Sequence, residues 1–171
     1  LPFVAAETCF ALKGGTAINL FIRDLPRLSV DIDLAYLPVA DRPSSLANIN
    51  TALRGIADAI GRELPNARVT LGPVREGGIT KLFVRTGDAQ VAVEVTPVLR
   101  GCVYAPSIRR ISATAEGRFG FVEAPVVSFP DLYGGKIVAA LDRQHPRDLF
   151  DVRDLLASEG IDDELRKAFI V

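Results

Sequence analysis

The chain has 171 residues, 49% of them apolar, which is enough to bury a real core as one globular unit. Its 20 basic and 21 acidic residues give a net charge of −1, which excludes the broad positive field of a general nucleic-acid binder and leaves only local contacts of that kind. Cys9 and Cys102 lack CxxC spacing and a nearby histidine, arguing against zinc or a disulfide framework and for a reduced, cytoplasmic protein; no apolar run nears the roughly 20 residues of a membrane span.

There is no methionine, and the opening LPFVAAETCF is apolar at once, so chain is expected before residue 1. Residues 9–13 (CFALK) read as a strand, Gly14-Gly15 as a turn, and 16–23 as a helix with Ile18, Phe21 and Ile22 at helical spacing. SVDIDLAYL then alternates: Val30, Ile32 and Leu34 point one way, Asp31 and Asp33 the other. Ser44 and Ser45 are the expected caps of a helix whose stripe is Leu46, Ile49, Leu53, Ile56 and Ile60. Strands are expected at 68–72, 79–86 and 89–96, the last two joined through Gly87-Asp88 as a hairpin, with Val91, Val93 and Val95 on one side and Glu94 on the other. From Pro97 to Arg118 no period is evident, and a loop with one short strand at most is expected. FGFVEAPVV reads as a strand. Helices follow at about 131–144 and 147–159, the second with Leu149, Val152, Leu155 and Leu156 as its packing side. His145, before Pro146, is expected to cap carbonyls. The final LRKAFIV ends on apolar residues and predicts further chain beyond Val171.

The chemistry-bearing pattern is GGT at 14–16 followed by DID at 31–33, with 14 residues between Thr16 and Asp31. A glycine turn entering a helix presents free N–H groups and the positive helix end, which suit the outer phosphates of a nucleotide. The returning strand places Asp31 and Asp33 beside that turn, a seat for Mg²⁺, which takes few carboxylate oxygens and fills its shell with phosphate and water. Alone, GGT is also any tight turn and DID any amphipathic edge strand. Together, with Glu94 as a further acid on a later strand, they form a structural sentence. Lys136 early in one helix and Asp148 at the start of the next suit phosphate binding, and equally suit an ordinary salt bridge between helices. Arg100, Arg109 and Arg110 read as arginines of an exposed loop, or as contacts to an acceptor nucleic acid.

LKGGTAINLFIRDLPRLSVDIDLAYL resembles the opening of the nucleotidyltransferase superfamily that includes DNA polymerase beta. More narrowly, the chain resembles the AbiEii/AbiGii toxin family from about residue 10 to 157. The residues that carry the likeness are Gly14-Gly15-Thr16, the R-x-S-x-D-x-D run from Arg27 through Ser29 to Asp31 and Asp33, and Lys136 with Arg147-Asp148-Leu149-Phe150-Asp151. The resemblance implies an α/β (α+β) nucleotidyltransferase fold: a small, mixed, twisted sheet with helices on one face over 1–128, and a C-terminal helical lobe over 129–171, packed as one unit. It also implies catalytic roles for Asp31, Asp33, Glu94 and Asp148, with Asp31, Asp33 and Glu94 holding Mg²⁺ (or Mn²⁺). Gly14, Gly15, Thr16, Ser29 and Lys136 are implied to meet the nucleotide. Glu94 stands where the superfamily often has aspartate. The implied substrates are a nucleoside triphosphate (NTP) and an acceptor hydroxyl, RNA such as a tRNA end, with a separately encoded antitoxin as partner. A small-molecule nucleotidyltransferase of the antibiotic-modifying kind, and a nucleotide-binding module without turnover, are the alternatives.

Overall fold

The computed structural model describes residues 1–29, 31–74 and 78–171. Val30, expected to share a face with Ile32 and Leu34, lies outside them. Among the described residues seven strands form one mixed sheet in the order β3-β4-β5-β2-β1-β7-β6: β1 (Phe10–Lys13), β2 (Asp31–Tyr36), β3 (Arg68–Leu71), β4 (Lys81–Thr86), β5 (Ala89–Arg100), β6 (Ser107–Arg110) and β7 (Glu123–Val126). The central strands alternate, so each gives one row of side chains to each face. Phe10 and Leu12 of β1, Leu34 and Tyr36 of β2, and Val93 and Val95 of β5 form the apolar row. Helix α3 (Arg42–Glu63) covers that row with Ile49, Leu53, Ile56 and Ile60, and Asn48 donates to the Tyr36 hydroxyl at 3.1 Å. Short helix α1 (Pro2–Ala5) packs beside α3.

The other row is small or charged: Ala11 and Lys13, Asp31, Asp33 and Ala35, Ala92 and Glu94. On this side the chain forms α2 (Gly14–Ala17), continued by a π-helical turn over Ile18–Ile22, where a single α-helix was expected. Arg23 follows and donates to the Tyr133 hydroxyl and, through both terminal nitrogens, to Glu159 at 2.7 and 2.6 Å. It thereby ties the turn to helix α5 (Phe129–Arg143) and to the C-terminal end of α6 (Pro146–Ser158), which α7 (Asp163–Ile170) follows. Helix α5 packs against α2, α6 and α7.

Several boundaries differ from expectation for identifiable reasons. The cap of α3 is Asp41, whose carboxylate accepts the Ser44 N–H at 2.9 Å, while Ser45 is buried within the helix. Residues 97–118 are more ordered than their composition suggests: β5 runs on to Arg100, β6 pairs antiparallel with β7, and α4 spans Ala113–Phe119. His145 caps the start of α6, its Nδ1 accepting the Arg147 N–H at 3.2 Å, and so serves an amide where a carbonyl was expected. The packing side of α6 is also not the leucine stripe. Leu149 and Leu156 are 50% and 56% exposed, and the buried face is Asp148, Asp151 and Leu155.

Candidate active site

Antiparallel pairing of β1 with β2 sets Lys13 opposite Asp33, and the chain turns at Gly14 directly over that aspartate. Gly14 has φ of +68°, and a Cβ on it would overlap the Asp33 carboxylate, so both conformation and space demand glycine. At Gly15 a Cβ would lie 3.0 Å from the Ser29 hydroxyl and 3.3 Å from an Arg27 guanidinium nitrogen. Thr16 is buried and its hydroxyl donates to the Asp31 carbonyl, locking α2 onto β2; it does not line the cavity. The two sequence motifs, GGT and R-x-S-x-D-x-D, therefore pack against each other residue by residue.

Parallel pairing of β2 with β5 sets Asp33 opposite Glu94 and Asp31 opposite Ala92, placing the three acids on one sheet face. Burial pushes the Asp33 carboxyl above the usual aspartate range; Lys13 opposes the shift, and the negative charges of Asp31 and Glu94 add to it. Burial conversely pushes the Lys13 ammonium down, against the pull of Asp33 and Glu94, and its Nζ donates to the Thr96 hydroxyl at 3.1 Å. Glu94 accepts from Lys81 at 2.7 Å. Among the described residues no three carboxylate, thiol or imidazole groups converge into a ready metal cage. The donor set still fits Mg²⁺, which is commonly held by one or two carboxylates with substrate phosphates completing its shell. Asp31 and Asp33, hard oxygen donors whose mutual repulsion a cation would relieve, fit that description.

The facing wall is built differently. Lys136, only 5% exposed, donates to Asp148 at 2.8 Å and lies 3.1 Å from Asp151. Arg27 reaches across to Asp151 through Nε and Nη2 at 3.0 and 2.5 Å, and Arg143 meets Asp148 through Nε at 2.7 Å. Burial would raise Asp148, but the hydrogen bonds from Lys136 and Arg143 outweigh it and hold the carboxyl below its ordinary value. Three cations and two acids thus link the loop before β2 to α5 and α6. Between this wall and the acid face lies a cavity of about 410 Å³.

A sequence profile of the nucleotidyltransferase AbiEii toxin, of type IV toxin–antitoxin systems, matches residues 1–171. The chain belongs to the AbiEii nucleotidyltransferase toxin family. The fold is likewise similar to that of MenT4, a nucleotidyltransferase toxin from Mycobacterium tuberculosis H37Rv, with a TM-score of 0.72 and 16% identity over 99% of this chain and 59% of that one. It is similar to JHP933 from Helicobacter pylori (TM-score 0.54, 17% identity, 98% of this chain and 67% of that). The antibiotic-resistance factor ANT(2'')-Ia shares it too (TM-score 0.53, 16% identity, 98% and 84%). A comparison with curated protein sequences finds no match.

Within this AbiEii-family chain, Gly14, Gly15, Ser29, Asp31, Asp33, Glu94, Lys136 and Asp148 all line the one cavity. Arg109 and Arg110 lie apart from it on β6 at the sheet edge, where Arg110 pairs with Glu116 at 2.8 Å. Lys13, Arg27 and Arg143 also line it, and nothing in their spacing assigned them roles. Lys13 is visible only once β1 is paired with β2. Arg27 opens the R-x-S-x-D-x-D run, but its partner Asp151 is 124 positions away. Six acids and five cations face the space, an environment suited to a ligand that itself carries both signs, as a metal-bound triphosphate does.

Proposed function

We propose that this chain transfers a nucleoside monophosphate from an NTP to a hydroxyl of RNA, such as a tRNA acceptor end, in a Mg²⁺-dependent reaction, as the toxin partner of an antitoxin. The observation that carries this reading is the close approach of the Gly14 turn to Asp33, which brings the turn's backbone and the Asp31 and Asp33 carboxylates, neither bonded to a cation among the described residues, to one cavity. Asp31 and Asp33 would hold the metal, with Glu94 as the third acid. A metal held there would supply charge neutralisation for an in-line displacement at the α-phosphorus, in which the acceptor hydroxyl oxygen, losing its proton, forms the new P–O bond as the bond to the departing pyrophosphate breaks. The backbone at Gly14 and Gly15 and the Ser29 hydroxyl orient the phosphates. Lys136 contributes positive potential from behind, and Asp148 fixes it and Arg143 in place. The protein's part is mainly to position charge.

Incubation with each labelled NTP plus total RNA tests this. Label in RNA that requires Mg²⁺ and is lost in Asp33→Asn is the expected outcome. Label confined to a small acceptor would replace RNA with an antibiotic-type substrate, and binding without any labelled product would leave a nucleotide-binding module.

A further inference from the structure

The acid face of the sheet continues beyond the cavity across β5, β4 and β3, where no described element covers it. In register beside Glu94 stands Lys81, and two residues along the same face stands Phe83, whose ring centroid lies 5.3 Å from the Lys81 ammonium. Two further residues bring Arg85, opposite both Arg68 of β3 and Gln90 of β5. Arg68, Thr70, Phe83, Arg85 and Gln90 line a second, shallow hollow of about 410 Å³. Helix α3 covers the opposite side of these strands, where Leu82, Val93 and Val95 are buried, so the hollow faces outward.

Two features need explanation. Arg68 and Arg85 are paired directly across the strands, a like-charge placement that destabilises a sheet, and among the described residues neither has a salt-bridge partner. A half-exposed phenylalanine between cations is a poor solvent-facing choice and a good platform for a nucleobase. At ~3.3 Å per residue, the four positions from Glu94 to Gln90 span about 13 Å, so the hollow lies within reach of a chain whose end occupies the cavity.

We propose that this face is the binding track for single-stranded RNA upstream of the reacting hydroxyl, with bases stacking on Phe83 and phosphates meeting Arg68 and Arg85. The proposal rests on the reading of the cavity as a nucleotidyl-transfer site and adds to it where the acceptor lies. A net-acidic chain binds a polyanion through such a local patch, not through its overall field.

The test uses fluorescence anisotropy of a labelled single-stranded RNA of about eight nucleotides, within the span of stacked single-strand sites. The exposed double variant Arg68→Gln/Arg85→Gln is expected to weaken binding about tenfold and to flatten the dependence of log affinity on log salt by about 1.4, two phosphate contacts' worth. Phe83→Leu, which keeps apolar bulk and removes the ring, is expected to lose about tenfold with an unchanged salt slope. Thermal stabilisation by NTP with Mg²⁺ stays the same in all variants. RNA affinity indifferent to these substitutions overturns the track, as does a parallel loss of NTP binding, or an unaltered chain that binds the RNA no better than the double variant. Absence of NTP stabilisation in the unaltered chain strikes instead at the nucleotidyl-transfer reading, because the RNA measurement stands apart from it.

Discussion

Two pairs of aspartates are held in opposite ways around the cavity, which Asp31, Asp33 and Asp148 line and Asp151 backs. Asp31 and Asp33 on β2 are neighbours in charge without a cation bonded to either carboxylate among the described residues, and burial raises Asp33. Asp148 and Asp151 on α6 are more deeply buried, yet each accepts from cations on other elements, and Asp148 is lowered. The first pair has no bonded cation among the described residues, and Lys13 and Lys136 offset Asp33 only through space. The second has its neutralising partners built in. Spacing alone does not distinguish them, since both are acid pairs on regular elements.

The largest effect expected from breaking this contrast is at Asp33. Asp33→Asn keeps the volume and removes one arm of the proposed metal seat, so transfer should fall by about three powers of ten, roughly 4 kcal/mol of transition-state stabilisation. Its melting temperature should hold or rise, because the repulsion with Asp31 and Glu94 is relieved. It should also lose the Mg²⁺-dependent rise in melting temperature that a metal bound only to the native state gives. Retained transfer, or a lower melting point with the Mg²⁺ response intact, would make Asp33 an ordinary strand residue.

Lys136→Met tests the other side. Two buried carboxylates would each keep one partner, Arg143 or Arg27, so the cost falls at the low end for a broken buried pair, about 3 kcal/mol, or roughly 10 °C in melting temperature. Calorimetry showing no loss would mean that Lys136 is a mobile phosphate ligand and not a tie between helices. The family resemblance implies the phosphate role; the structure shows Lys136 shared between two aspartates, and nucleotide affinity of the variant measures how far both descriptions hold.

Gly14→Ala joins the two observations made at the turn. The left-handed backbone costs an L residue about 1–2 kcal/mol, and the added methyl must displace the Asp33 carboxylate. A fall of roughly 5 °C in melting temperature together with a weakened Mg²⁺ response is expected. A stable variant with the full Mg²⁺ response would separate the turn from the acids.

How much of this was legible in the sequence follows from which interactions are local. Alternation in β2 and β5 and the stripe of α3 are local, and they predict the acid face of the sheet and the covering helix. The GGT and DID motifs were legible as a pair because each constrains the other across a short hairpin-like return. What failed was non-local. The stripe of Leu149, Val152, Leu155 and Leu156 suggested an apolar packing side for α6, yet the side that packs is chosen by Lys136 and Arg27, whose positions no period in α6 encodes. Lys13 ended an apolar strand like any solubilising residue until pairing put it opposite Asp33. In 97–118 the order comes from partners, β7 for β6 and Asp24 for the start of α4, whose Thr114 donates to that carboxylate through both its N–H and its hydroxyl.

The smallest expected effect gives the sharpest form of the contrast, because it turns on sign. Arg143→Gln removes one donor to Asp148; its side chain is 63% exposed, so screening limits the loss to about 1 kcal/mol or less at pH 7. The Asp148 carboxyl is held below the ordinary 3.8, so its pairing stabilises the fold above that value and is lost as pH falls through the lowered folded one. The gap between wild type and Arg143→Gln should therefore persist down to about pH 4 and close only below it. Asp33 behaves inversely. With its folded pKa raised, the charged carboxylate costs stability above that pKa, and the cost disappears as pH falls through it towards 3.8. Asp33→Asn should thus be the more stable protein at neutral pH and converge on wild type from above, at a higher pH than Arg143→Gln converges from below. Denaturant melts of the three proteins between pH 7 and pH 3, without Mg²⁺, read both gaps. If both variants converge from the same side, the two pairs of acids are not held in opposite ways.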